Sequence, residues 1–112
     1  MKIAIASNKG RVAEHFGHCE DFAIYDISVN KVVAKNVIPN PGHKPGFLPN
    51  YLNDLGVKVI IAGGMGKGAV DIFQEKNIEV ITGAGGEIDT VLQAKLAGEL
   101  VSDDSVCDHH HQ

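Results

Sequence analysis

Apolar and polar positions follow two periods along this chain, and the switches between them lay out its elements. KIAIAS is almost wholly apolar and is stopped by Ser7, Asn8 and Gly10, which predicts a buried strand over residues 2–6. DFAIYDIS and KVVAKNVI are rich in β-branched and aromatic residues and flank VNK. That is the pattern of an antiparallel hairpin, with Asn30 tolerating the turn geometry. Pro39, Pro41, Pro45 and Pro49 punctuate the next loop. Leu48, Leu52 and Leu55, with Tyr51 between them, then recur at helical spacing; Pro49 fits the first turn and Gly56 supplies the stop.

VKVIIA reads as another strand, followed by the glycine loop GGMGKG and a helix whose apolar stripe is Ala69, Ile72 and Phe73, ended by Asn77. IEVIT and GAGG repeat the strand-then-glycine pattern. Ile88, Val91, Leu92 and Leu96 make the third stripe, ended by Gly98. The last stretch, ELVSDDSVCDHHHQ, has neither period and is expected to be a mobile tail. The order β-β-β-α-β-α-β-α predicts an α/β fold in three layers, a mixed five-stranded sheet with three helices packed on it. The strand order 3-2-1-4-5 follows if the first and fourth strands, which do not alternate, lie buried in the centre. Residues 1–100 form a single domain in this reading, and 101–112 a Cys/His-rich tail.

Composition narrows the function. A chain of 112 residues holds one core, and 44% hydrophobic with 21% charged is globular. The net charge of −4, with no Lys/Arg cluster, argues against nucleic-acid partners. No apolar run outlasts one strand, so no membrane span is expected, and MKIAIAS lacks the apolar core of a signal peptide. A cytoplasmic protein is expected, its two cysteines serving as thiols or metal ligands rather than as a disulfide.

The candidate chemistry is concentrated in two places. AEHFGHCEDF holds His15, His18 and Cys19, and the end of the chain holds Cys107, His109, His110 and His111; only His43 stands apart. Open α/β sheets bind ligands beyond the carboxyl ends of their parallel strands, where the first cluster and both glycine loops meet. Imidazole and thiolate suit iron, zinc or copper, but the spacing lacks the paired Cys-x₂-Cys of a closed zinc site. Hydrogen-bonding histidines and a small buried cysteine remain the plainer reading. The tail donors fit adventitious zinc or nickel, or simply a solvated end.

GGMGKGA carries G-x-G-x-x-A at Gly64, Gly66 and Ala69, similar to a dinucleotide fingerprint, yet the next strand brings no acidic residue. Gly68 after Lys67 breaks the phosphate-loop pattern as well. Amides around Gly63, Gly64, Met65 and Gly66 could cradle a phosphate or the sulfides of a cluster, or the glycines only permit a tight turn. Catalytic groups are scarce. The first strand has no carboxylate for metal-assisted hydrolysis, and Cys19 with His15 or His18 lacks an orienting third member.

HFGHCEDFAIYDI, NPGHKPGFLPNYL, VIIAGGMGKGAVDIF, IEVITGAGGEIDTVL and the Cys/His-rich C-terminus together resemble the dinitrogenase iron–molybdenum cofactor biosynthesis family, in order and over nearly the whole chain. The resemblance implies a ribonuclease H-like three-layer fold. It also implies non-catalytic binding, storage or delivery of an iron–sulfur or iron–molybdenum-type cluster or its precursor. His15 matches the histidine of the family's HFG motif, and GGMGKG matches a loop bordering the same cavity. On that basis His15 is an exchangeable ligand to iron, with His18 or Cys19 as second donor and the amides of Gly63 to Gly66 facing sulfides. His43 is a lid or supporting residue, and Cys107 with the tail histidines captures the cluster first. The partners the resemblance implies are the metallocluster cargo and a protein that donates or accepts it. Two competing readings are a nucleotide- or phosphate-binding enzyme using GGMGKG, and a metal-sensing module acting through the tail.

Overall fold

A computed structural model describes residues 1–42, 44, 46–100 and 102. Six strands and three α-helices follow one another along the described residues: β1 (Lys2–Asn8), β2 (Arg11–Val12), β3 (Asp21–Ser28), β4 (Lys31–Pro39), α1 (Phe47–Asp54), β5 (Val57–Ile61), α2 (Lys67–Glu75), β6 (Glu79–Ile81) and α3 (Ile88–Leu96). The sheet runs β4-β3-β1-β5-β6, antiparallel on the β3–β4 side and parallel from β1 through β5 to β6. The expectation of five strands is corrected by β2. It is a two-residue strand, too short to show any period, and it folds back antiparallel on the end of β1 through Ser7↔Val12 and Asn8↔Arg11.

Alternation along the central strands divides the interior in two. Ala4, Ala6, Phe22, Ile24 and Ile60 face one way and join Leu48 and Leu52 of α1 and Phe73 of α2. Ile3, Ile5, Tyr25, Val59 and Ile61 face the other and join Ile88, Val91 and Leu92 of α3. The result is a three-layer arrangement, with β1 buried on both faces. Small alanines on the first face leave room for phenylalanines, while isoleucines fill the space under α3. Each fully buried Ile, Leu or Phe contributes roughly 1.5–3 kcal/mol.

The turns carry the expected signals, except that the β-branched Val29 occupies a positive-φ position. Val29 (φ 51°) and Asn30 (φ 62°) both take positive φ, as a tight two-residue hairpin turn demands. Asn77 (φ 61°) follows α2 and Gly98 (φ 75°) follows α3, each in the left-handed conformation that ends helices. Beyond α3, Leu100 packs on the second core. The Ser102 hydroxyl accepts from the Thr82 amide at 3.0 Å. The described chain therefore finishes at the carboxyl end of β6.

Candidate functional site

The site is built on the loop between β2 and β3. Backbone bonds fasten its start: Ala13 N–H to Ala6 O (2.8 Å), Gly63 N–H to Ala13 O (2.8 Å) and Phe16 N–H to Gly64 O (3.0 Å). Phe16 then plugs into the core beside Phe22 (ring centroids 5.7 Å apart) and Phe73 (5.4 Å). Residues Phe16–His18 form a single 3₁₀ turn, in which side chains three apart fall on the same side. Phe16 and Cys19 consequently point inward, and His15 and His18 outward. The two imidazoles meet edge to face with centroids 6.5 Å apart.

They open onto a cavity of about 700 Å³. Lys44, Gly46, Leu48 and Pro49, leading into and starting α1, make one wall; Gly66, Gly68, Ala69 and Ile72 of α2 make another. The lining is mostly apolar carbon, broken by the imidazoles, the Lys44 ammonium and the first turn of α2. Gly66 precedes that helix without a side-chain cap bond, so first-turn amides of α2 lack intrahelical acceptors and present partial positive charge. A Cβ at Gly66 or at Gly68 would meet nothing within 4 Å. Glycine there leaves open space that a side chain would fill.

The other expected residues are placed differently. Cys19 is buried at 4% exposure and is not part of the cavity lining. Asn40 Nδ2 donates to the Cys19 carbonyl at 2.9 Å and lies 3.7 Å from its sulfur. Burial pushes the thiol up to about 11, partly offset by the backbone at Ser7, so it stays protonated at neutral pH. Gly63 spends its amide on Ala13, Gly64 offers its carbonyl to Phe16, and Met65 is fully buried in the core. Of the four residues Gly63 to Gly66, only Gly66 lines the cavity. Lys67 is paired with Asp71 (2.9 Å) one helical turn on. His43, Cys107, His109, His110 and His111 lie outside the described residues.

Among the described residues no three His, Cys, Asp or Glu side chains gather closely enough to hold a metal ion. The cavity thus offers two imidazole donors and a rim of amides rather than a closed coordination cage. No helix of the described residues is long and apolar enough to cross a membrane. Sequence reasoning missed Lys44, Leu48, Pro49, Gly68, Ala69 and Ile72 as cavity walls. The helical spacing of Leu48, Ala69 and Ile72 was visible, but not that α1 and α2 part in front of the histidine loop.

Comparison with known proteins supplies the context. The profile of the dinitrogenase iron–molybdenum cofactor family matches residues 1–98. An uncharacterised protein of Methanocaldococcus jannaschii is 31% identical over 105 residues, 89% of each chain. The crystal structure of PH0822 superposes with a TM-score of 0.85 at 33% identity, covering 93% of this chain and 96% of its own. A crystal structure from M. jannaschii, provisionally named a dinitrogenase, gives 0.78 at 25% identity, with 94% and 96% covered.

Proposed function

The chain belongs to the dinitrogenase iron–molybdenum cofactor family, and from that premise we propose that it holds and hands on an iron–sulfur-based cluster, or its precursor, without turning over a substrate. The observation that carries this reading is the placement of His15 and His18 together on one 3₁₀ turn, across a cavity from the uncapped start of α2. His15 supplies an exchangeable ligand to iron and His18 a second. First-turn amides of α2 and the Lys44 ammonium offset the negative charge of the cargo. Two neutral ligands hold a cluster less tightly than four thiolates do, which suits release to an acceptor protein. Cys19 has no part in this, because a protonated buried thiol is a poor ligand.

In the same reading the tail donors Cys107, His109, His110 and His111 meet the metal first, and His43 closes over it. Ser102 supports that role: it is fixed at the end of β6, two strands from β1, and neighbouring strands lie about 4.8 Å apart. A ribonuclease H-like classification and a cytoplasmic setting complete the proposal. The test is anaerobic reconstitution with iron and sulfide, read by visible and Mössbauer spectra in wild type, His15→Ala and His18→Ala. A stoichiometric cluster signal that is lost or weakened in the variants is expected. No cluster in wild type, or an unaltered one in both variants, would remove the cavity from the mechanism.

A further inference from the structure

On the opposite side of the sheet, where the β1–β2 turn meets the start of α3, a second cleft of about 410 Å³ opens. Two backbone bonds hold its walls together: Val12 N–H to Gly86 O (2.8 Å) and Ile88 N–H to Gly10 O (3.1 Å). Lys9, Arg11 and Lys35 converge on it, joined by Glu87 and Asp89. Lys35 and Asp89 are committed to one another at 3.1 Å, and Asp89 also accepts from the buried Tyr25 hydroxyl at 2.8 Å. The remaining three are not committed. Among the described residues the side chains of Lys9, Arg11 and Glu87 have no hydrogen-bond or ion-pair partner. Arg11 and Glu87 are even directly opposed across an isolated antiparallel bridge, yet their charged groups form no ion pair.

We propose that this cleft binds a small phosphomonoester that carries a hydroxyl-bearing group beside its phosphate. The Arg11 guanidinium and the Lys9 ammonium take the phosphate, since two exposed cations whose side chains have no internal partner match a dianion. The Glu87 carboxylate accepts from the neighbouring hydroxyl. That carboxylate and Asp89 also make the cleft a poor place for a bare polyanion, and the chain's net charge of −4 works in the same direction. A small ligand with a donor group is therefore favoured over a nucleic-acid backbone. The site is separate from the His15 cavity and does not depend on the cluster reading.

Titration of the full chain by amide NMR with inorganic phosphate, ribose 5-phosphate and AMP tests this. Saturable shifts confined to Lys9–Val12 and Glu87–Asp89 are expected with ribose 5-phosphate or AMP, and which binds more tightly separates a sugar phosphate from a nucleotide. The exposed pair Lys9→Ala with Arg11→Ala should weaken that binding by about tenfold or more. Glu87→Gln should narrow the preference over inorganic phosphate while His15-dependent cluster loading stays unchanged. The proposal is overturned if no probe gives saturable shifts at the cleft, if the double variant binds as wild type does, or if inorganic phosphate binds as tightly as the esters.

Discussion

Gly63 and Glu14 lie so close that a Cβ added to Gly63 would sit 2.9 Å from the Glu14 Cα and 3.0 Å from the Ala13 carbonyl oxygen. These are backbone atoms, so no side-chain rotation relieves the clash. The contact is what brings the end of β5 against the loop that carries His15. Gly63→Ala should destabilise the fold by about 1–3 kcal/mol and displace that loop. Denaturant unfolding measures the first effect, and chemical shifts of the His15 and His18 rings the second. An unshifted loop at full stability would show that the approach is not needed.

Gly68 offers the converse experiment. Its Cβ position is empty, and it lies within α2, where replacing glycine by alanine is worth up to about 1 kcal/mol. Gly68→Leu should therefore keep or raise the melting temperature while filling part of the cavity. Reconstituted cluster per chain should fall. A variant that is stable and loads normally would place the cargo elsewhere.

Cys19 should be chemically quiet. In a Cys107→Ser background, a disulfide reagent such as DTNB should leave the native protein unlabelled at pH 8 and label it at once in guanidinium. The cause is burial, which lifts the thiol to about 11. Cys19→Ala should load cluster as wild type does, with a stability loss as its main effect. Fast labelling of the native chain would contradict the buried placement.

Asp89 gives the fold an acid-sensitive component. The Tyr25 hydroxyl first, and Lys35 second, hold its carboxyl below the ordinary 3.8. A group lowered by folding stabilises while ionised, so its contribution is in place above the ordinary value and is lost as pH falls through the lowered one. Melting temperature should drop across that acidic range in wild type. In Asp89→Asn this component of the drop should be missing; the same acid slope in both proteins would assign the sensitivity to other carboxylates.

The regular elements were legible because period and stop signals agreed. Ile88, Val91, Leu92 and Leu96 mark α3, and Gly98 ends it with the positive φ that its position predicts. β2 was not legible, since Arg11 and Val12 owe their conformation to Ser7, Asn8 and Glu87, not to one another. The histidine loop was half legible. His15, His18 and Cys19 read as one donor cluster in sequence, whereas the 3₁₀ turn sorts them by threes and sends the thiol inward with Phe16. That period of three, in the order His-Phe-Gly-His-Cys, was the available signal. Glycine loops are opaque for a different reason: Gly63 answers to a close backbone approach and Gly68 to an open space, and nothing in their spelling separates the two.

The bond from Thr82 to Ser102 bears on how the protein should be handled at the bench. It fixes Ser102 at the edge of the sheet that holds the histidine cavity. The amino group of Met1 bonds to Ile27 O, at the far end of β3 from that edge. Six extra imidazoles in a purification handle joined on the Ser102 side would thus compete for the iron supplied in a loading experiment. The same handle before Met1 would leave loading experiments clean.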